Sequence, residues 1–531
     1  MKKIKLLVIM LTAFGSIAVI IAWKEKQTAA PAKRPNILFV IADDQSYPYA
    51  SIYGAKGVQT PAFDAVAKSG ILFNNAFAAA PQCSPSRAAI LTGKNIWQLE
   101  EAGTHSSYFP KKFQVFTNLL ENAGYRIGYT GKPWGPGNWK DAGWERNPVG
   151  PEFNSKKLQP PTKGISNIDY FENFVDFYNQ RKGDKPFFFW FGANEPHRVY
   201  EEGSARKAGK NIQEAFVPGF LPNDAVVQSD IEDYALEIEW FDTQLGKMID
   251  FLKQKGELEN TMIVVTSDNG MPFPSAKANL MEYGSHVPLA VSWPSKIKGG
   301  ATSDDLVSLI DLAPTFLDIA GVKDAPAMTG KNLHDILFNK SFNKTNYRTC
   351  VLTGRERHTH ARPDDVGYPS RAIRTDSFLL IWNIKPDRWP AGDPPPDNEE
   401  KPDPANKDIK AIGVGYNDID DPSPTKLFML ENRNRWPDLF DDGFAKREEI
   451  QLFNIRNDAA CLNNLANDKS YTAIKDALKD KLQQLLTEQH DPRMLGYGDI
   501  FESYPRFGLM RNFPGFKERG KYNPAYQNKK N

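Results

Sequence analysis

The sequence predicts an α/β fold: a large, doubly wound and mostly parallel sheet flanked by helices, followed by a smaller C-terminal antiparallel sheet with a helix. Continuous apolar runs, typical of strands buried on both faces of a parallel sheet, occur at 35–42, 186–193 and 261–266. Segments with helical patterning alternate with them at 60–69, 113–122 and 224–256. After about residue 365 the pattern changes to short strands with exposed charge at 371–383, a short strand at 451–454 and a final helix at 470–488.

The length and composition indicate a packed globular enzyme of two parts. A chain of 531 residues is too long for one small core, so two domains or a domain with a subdomain are expected. The expected divisions are 31–365, 366–504 and an extended tail at 505–531. A net charge of +1 excludes a nucleic-acid-binding arm. Three cysteines provide neither a disulfide framework nor zinc-ligand spacing: Cys83, Cys350 and Cys461.

The first 30 residues predict export. An apolar run at 6–23 follows three lysines and precedes a small-residue stretch at 28–30, as in a cleaved signal peptide. A retained membrane anchor is the alternative, because the run is just long enough to span a bilayer. In both cases the positive end stays inside, so we expect a periplasmic or extracellular bacterial protein.

The stretch 81–94 predicts the entrance of a helix. Ser84 can act as N-cap, Pro85 suits the first turn, and Gly93 can end the helix. Cys83 then lies at the positive end of the helix dipole, with Arg87 one turn further on. Both features are expected to lower the pKa of the thiol and to favour a bound anion.

Two predicted strands end in oxygen-bearing side chains. The first runs into Asp43 and Asp44, and the strand at 261–266 leads to Asp268 and Asn269. Carboxyl ends of strands are where α/β proteins place their ligands, and burying adjacent carboxylates requires a cation. Such hard oxygen ligands favour Ca²⁺ or Mg²⁺ over zinc.

The motif Cys83-x-Pro85-x-Arg87, extended through 91–93, resembles the signature of the type I sulfatases, which have an alkaline-phosphatase-like fold. Further blocks of that family recur in order between about residues 35 and 470. The resemblance implies that a formylglycine-generating or anaerobic sulfatase-maturing enzyme oxidises Cys83 to formylglycine, whose hydrate attacks the sulfur of a sulfate ester. It also implies one Ca²⁺, with these ligands: Asp43, Asp44, Cys83, Asp268 and Asn269.

The same resemblance implies roles for further residues. Arg87 and Lys132 hold the hydrated aldehyde, and Lys132 contacts the sulfate. His197, in a Pro-His pair after a buried strand, or Lys277 protonates the departing oxygen. Trp134 stands where the family usually has a histidine, so it could stack on a sugar ring or indicate weakened catalysis.

Basic and imidazole groups concentrate in the stretch 355–362, which suits a polyanionic sugar. A solvated basic loop is the alternative. The Pro- and Asp-rich segment at 386–425 could line the cleft or decorate the surface. The predicted substrate contacts are Trp134, His286, Arg355, His358, His360 and Arg371.

The predicted function is hydrolysis of sulfate esters on a sulfated poly- or oligosaccharide. Three alternatives remain open. Cleavage of N-sulfate is one, because 272–274 resembles the branch containing heparan N-sulfatase. A phosphate mono- or diesterase of the same fold is the second, although Asn269 and the Cys83 motif argue against it. A catalytically weak sugar-binding relative, supported by Trp134, is the third.

Overall fold

The structure is a computed structural model, and it describes residues 33–338, 347–394, 415–419 and 423–507. The predicted export segment, most of the Pro- and Asp-rich segment and the tail beyond residue 507 lie outside the described residues. From Pro35 onward the described chain belongs to one compact unit. None of the described helices combines the length and hydropathy needed to cross a bilayer.

The predicted mixed, mostly parallel sheet is confirmed, with eight strands. They are β1 (Asn36–Ala42), β2 (Ile71–Phe77), β3 (Arg126–Gly131), β4 (Phe187–Gly192), β5 (Thr261–Ser267), β6 (His286–Ser292), β7 (Ala301–Ser303) and β8 (Val307–Ser308). Their order is β3-β4-β1-β5-β6-β2-β7, and β8 also pairs with β2. Strands β3, β4, β1 and β5 run parallel, whereas β6 is antiparallel to β5 and β2. Every residue of β1, β4 and β5 is buried, which explains their continuous apolar sequences.

Helices cover both faces of this sheet. The described helices of the whole protein are α1 (Pro61–Lys68), α2 (Cys83–Thr92), α3 (Phe116–Asn122), α4 (Tyr170–Asn179), α5 (Ser204–Lys207), α6 (Ala225–Gln254), α7 (Glu282–Ser285), α8 (Leu312–Ile319), α9 (His334–Phe338), α10 (Pro424–Glu431), α11 (Pro437–Phe444) and α12 (Thr472–Glu488). Alternate residues of β1 enter two separate core clusters. Phe39 packs with residues of α2, α3 and α8, and Val40 packs with residues of α1, α4 and α6.

A second, antiparallel sheet is confirmed, with a helix against it. Its strands are β9 (Val351–Arg355), β10 (Ser370–Arg374), β11 (Phe378–Asn383) and β12 (Ile450–Asn454), in the order β12-β11-β10-β9. Leu482 and Leu486 of α12 join the same core cluster as Leu380 and Leu452 of the sheet. Strand β9 precedes the boundary expected after residue 365, so the smaller sheet begins earlier in the chain.

Two local predictions were wrong. Helix α2 begins at Cys83, and Gln82 is its N-cap without a side-chain hydrogen bond, so Ser84 lies inside the first turn. Gly93 ends the helix as expected, with φ +65°. The charges of β10 are not exposed: Arg371 and Arg374 are buried because each pairs with a buried carboxylate.

Candidate active site

The candidate site lies where the carboxyl ends of four neighbouring parallel strands meet the first turn of α2. Ala42 pairs with Ser267, and Gly192 pairs with both Ile41 and Gly131. This register brings the residues that follow each strand to one edge of the sheet. The structure therefore brings together seven side chains singled out from the sequence: Asp43, Asp44, Arg87, Lys132, His197, Asp268 and Lys277.

The centre of the site is an acidic cluster around Cys83. One carboxylate oxygen from Asp43, one from Asp268 and the sulfur of Cys83 all lie within 4.8 Å of one another. All three side chains are buried. Cys83 reaches this point because it is the first residue of α2.

Asp44 forms a second layer beside this cluster. Both oxygens of its carboxylate accept hydrogen bonds from Nζ of Lys277 at 2.6 Å, and Oδ1 also accepts one from Nδ2 of Asn269 at 2.6 Å. Its backbone N–H donates to Oδ1 of Asp268 at 3.1 Å. The backbone of Asp44 has φ +73°, a left-handed conformation that is rare for a residue with a side chain and that concentrates at functional sites.

Two cations neutralise the cluster. Nε of Arg87 donates to Oδ2 of Asp268 at 2.7 Å, and Nη1 donates to the carbonyl oxygen of Lys132 at 2.7 Å. Nζ of Lys132 pairs with Oδ2 of Asp43. Lys132 keeps 15% of its side chain exposed, so this face of the site is open to an incoming anion.

The pKa values reflect the crowding of charges. Burial raises the pKa of Asp43, but Lys132 and His197 outweigh it, and the net pKa is lowered. Burial and the neighbouring Asp43 raise the pKa of Asp268 against the effect of Arg87. Burial also raises the pKa of the Cys83 thiol, so the predicted lowering was wrong: desolvation exceeds the help from nearby cations.

His197 lies on the open side of the site. Its Nδ1 is 2.7 Å from the carbonyl oxygen of Arg198, and its Nε2 is 3.8 Å from Oδ2 of Asp44. Burial lowers its pKa, but the Asp44 carboxylate outweighs burial and holds the pKa well above its usual range. With 27% of the side chain exposed, the ring can reach a bound ligand.

The residues fit a divalent cation. Oδ1 of Asp43 and Oδ1 of Asn269 are both buried, and neither has a hydrogen-bond partner among the described residues. Unpartnered buried oxygens are costly, and a hard cation would satisfy them. The fit extends to the second carboxylate of the acidic cluster, that of Asp268.

Gly131 positions Lys132, and its substitution is our first prediction. Gly131 has φ +74°, and a Cβ there would lie 1.9 Å from the carbonyl oxygen of Gly192. We expect Gly131→Ala to lower the free energy of unfolding by about 2–4 kcal/mol and to reduce activity, because β3 and β4 must separate below Lys132.

Gly54→Ala is the matched control, since Gly54 has φ +88° with nothing within 4 Å of the added Cβ. It should cost only about 1 kcal/mol, measured by denaturant unfolding. Equal losses in the two variants would contradict the role of the close approach.

Trp134 lies inside the protein. It is 1% exposed, its Nε1 donates to the carbonyl oxygen of Ser84 at 3.1 Å, and its ring packs edge-on against Phe109. This burial speaks against the predicted stacking on a sugar. The indole instead supports the first turn of α2, next to Cys83.

The basic stretch is also buried, so neither a sugar-binding surface nor a solvated loop describes it. Arg355 pairs with Asp418 at 2.8 Å, and His358 is 3.0 Å from the carbonyl oxygen of the same residue. Two further predicted substrate contacts are also buried in ion pairs. His360 pairs with Asp365, and Arg371 pairs with Asp491 and Glu356. Sequence could not show this, because the carboxylates that pair with these groups lie 5–120 residues away.

His286 is likewise held by the protein. Its Nδ1 is 3.1 Å from Glu282, its Nε2 is 2.8 Å from the carbonyl oxygen of Asn74, and its ring stacks on Tyr47. It lines a cavity of about 580 Å³ with Tyr53 among other residues, but its ring nitrogens already have partners. Its position does not support direct contact with substrate.

Glu282 supplies our second prediction. It is buried, and despite that burial its bidentate partner Arg374, together with His286, lowers its pKa to about 2 from an ordinary 4.5. Because the folded pKa lies below the unfolded one, the pair stabilises the fold above pH 4.5 and loses this effect as pH falls towards 2. The contribution is about 3 kcal/mol at neutral pH.

We therefore expect Glu282→Gln to be less stable than the wild type at neutral pH, with the difference shrinking at acid pH. Chemical unfolding at a series of pH values measures this. Glu121→Gln is the control, because Glu121 forms an exposed pair with Arg146. A stability difference between Glu282→Gln and wild type that does not change with pH would contradict the assignment.

The comparisons with known proteins decide the family. A model described as sulfatase matches residues 35–322, more than half of the chain. The chain belongs to the sulfatase family. A second model, described as the C-terminal region of N-sulphoglucosamine sulphohydrolase, matches residues 276–407 of this sulfatase. The family makes the protein a sulfuric ester hydrolase and leaves the phosphoesterase alternative without support.

Two relatives and one solved structure illustrate the similarity. Human N-sulphoglucosamine sulphohydrolase is 28% identical over 516 residues, covering 89% of the sulfatase and 93% of the relative. An ulvan-active sulfatase of Formosa agariphila is 31% identical over 372 residues, covering 68% of each. A solved protein in complex with its substrate, D-glucosamine-2-N,6-O-disulfate, aligns with a TM-score of 0.62 at 21% identity, covering 86% of this chain and 99% of that one. That structure shares the fold.

Proposed function

We propose that this sulfatase removes sulfate from a sulfated poly- or oligosaccharide, using formylglycine made from Cys83 and one Ca²⁺. One observation carries the proposal: the sulfur of Cys83 and oxygens of Asp43 and Asp268 lie within 4.8 Å of one another. A modified side chain at position 83 thus shares the ligand set of the cation. The raised thiol pKa agrees with this, because an unmodified Cys83 would be a poor nucleophile.

The cation would be held by Asp43, Asp44, Asp268, Asn269 and the modified residue 83. When bound, it would neutralise the charge of the sulfate and lower the pKa of a hydroxyl group beside it. The carboxylate of Asp44 accepts hydrogen bonds from both Lys277 and Asn269, and these bonds fix its position.

Arg87 and Lys132 hold the nucleophile side. Arg87 is fully buried and tied to Asp268, so it fixes the first turn of α2 relative to β5. Lys132 is partly exposed beside Asp43 and can bind an oxygen of the sulfate.

His197 and Lys277 form the leaving-group side. Both contact Asp44, His197 at 3.8 Å and Lys277 at 2.6 Å. The raised pKa of His197 keeps a proton available on the ring near neutral pH. We assign His197 as the donor to the departing sugar oxygen, with Lys277 supporting it.

The substrate class rests on the named relatives, which include a sulphoglucosamine hydrolase and ulvan-active sulfatases. We propose O-sulfate cleavage as the main activity. Cleavage of N-sulfate is the second candidate, favoured by the match of residues 276–407 to the C-terminal region of N-sulphoglucosamine sulphohydrolase. The burial of Trp134 removes sugar stacking as an argument for a catalytically weak sugar-binding protein. That alternative now rests only on Trp134 standing where the family usually has a histidine.

The test uses full-length protein co-expressed with a maturing enzyme. Released sulfate is measured by ion chromatography from glucosamine N-sulfate, glucosamine 6-O-sulfate and ulvan oligosaccharides. Turnover of an O-sulfated sugar supports the proposal, and turnover of glucosamine N-sulfate alone supports the second candidate. A protein with confirmed formylglycine that binds these sugars without turnover would overturn both. We further propose export to the periplasm or cell exterior, which cell fractionation tests.

A further inference from the structure

We propose that a buried ion pair, Arg198–Asp230, positions the leaving-group side of the site by holding both His197 and Lys277. Arg198 and Asp230 act in this proposal through the groups that they hold, so we class both as positioning residues rather than catalytic ones. The inference rests on the proposed function, because it explains how the proton donor is kept in place.

The pair is bidentate and closed to solvent. Nη1 and Nη2 of Arg198 donate to the two carboxylate oxygens of Asp230, each at 2.7 Å, and both side chains are 2% exposed. The guanidinium also lies over the rings of Phe273 and Tyr200, 4.4 and 4.5 Å from their centroids. A guanidinium group that pairs with a carboxylate along its edge and packs against aromatic rings has little freedom to move.

The first link runs to His197 through the backbone. The carbonyl oxygen of Arg198 lies 2.7 Å from Nδ1 of His197. A carbonyl can only accept, so Nδ1 carries a hydrogen and Nε2 is the atom that faces the site. Fixing Arg198 therefore fixes both the tautomer and the direction of the imidazole.

The second link runs to Lys277. Nε of Arg198 donates to the carbonyl oxygen of Pro272 at 2.9 Å. The next carbonyl, that of Phe273, accepts the backbone N–H of Lys277 at 2.9 Å and that of Ala276 at 3.1 Å. Arg198 is thus linked through its guanidinium to the turn that contains Lys277, and through its backbone carbonyl to the ring of His197.

Asp230 anchors this arrangement to a rigid element. It lies in α6, a helix of 30 residues that packs on the main sheet. Its Oδ2 also accepts the hydroxyl of Thr425 at 2.6 Å, in the first turn of α10. The position of the proton donors is therefore set by the core of the protein rather than by their own loops.

The test compares two leaving groups on matured, full-length protein. Nitrophenolate departs without a proton, whereas a sugar alkoxide needs one. For Asp230→Asn we expect kcat on a 6-O-sulfated sugar to fall on the order of 10–100-fold more than kcat on 4-nitrophenyl sulfate, because general-acid catalysis contributes about 10²–10⁴-fold. KM should change little for either substrate.

Asp311→Asn is the matched control. Asp311 is buried and pairs with Arg348 at 2.6 Å, away from the site. It should affect the two substrates equally. Thr425→Val, which removes one hydroxyl donor from Asp230, should show the same selective loss on a smaller scale and serves if Asp230→Asn does not fold.

Equal losses on both substrates in Asp230→Asn and Thr425→Val, or no loss in either, would overturn the inference while leaving the proposed function intact. A wild-type protein that releases no sulfate from either substrate would instead overturn the proposed function. The two failures are therefore distinguishable.

Discussion

We expect Cys83→Ala to lose at least about 10⁴-fold of the sulfatase activity while it remains folded. The reason is that the proposed formylglycine cannot be made from alanine, so the variant would lack the proposed nucleophile at position 83. Cys83 packs in the first turn of α2 with 1% exposure, so losing the sulfur costs only about 1 kcal/mol of stability. The measurement pairs the rate of sulfate release with the thermal midpoint.

Cys350→Ala is the matched control, because Cys350 is a second free cysteine, half-buried, in the segment before β9. It should retain wild-type activity. Mass spectrometry of the peptide carrying Cys83 should show CH₂SH replaced by CHO in active wild-type protein. Full activity in protein whose Cys83 is an unmodified thiol would contradict the proposed nucleophile.

Asp268→Asn should abolish most of the calcium response. A ligand substitution is expected to weaken calcium binding on the order of 100-fold or more. At a calcium concentration 100 times the wild-type Kd, binding stabilises the wild type by about 2.7 kcal/mol and the variant by about 0.4 kcal/mol. Activity should fall in parallel, because Asp268 also holds Arg87 at 2.7 Å.

The experiment strips metal with a chelator and then measures the thermal midpoint and the rate during calcium addition. Asp242→Asn is the control, since Asp242 is a buried aspartate that instead accepts the backbone N–H groups of Ala62 and Phe63. It should lose stability without losing its calcium response. A chelated wild-type protein that keeps full activity would contradict the cation proposal.

The sequence by itself was sufficient for the architecture and for the meeting of Asp43, Asp44, Asp268 and Asn269 at one edge of the main sheet. Strands β1, β4 and β5 are buried on both faces, so their apolar runs identify a parallel sheet without reference to any partner. The residues after such strands must meet at one edge, which is why Asp43 and Asp268 could be placed together across 225 residues of chain. Their roles in catalysis stay predictions.

Only the tertiary structure decided which polar groups are free to act. Tryptophan and arginine side chains are typical of a sugar-binding cleft. In this protein, however, the side chains of Trp134, Arg355 and Arg371 are each buried with partners inside the protein. The Arg198–Asp230 pair shows the converse, because Asp230 lies in α6, where the sequence predicted no site residue. Burial and pairing depend on contacts between segments that are distant in the sequence. A local sequence pattern therefore does not reveal them.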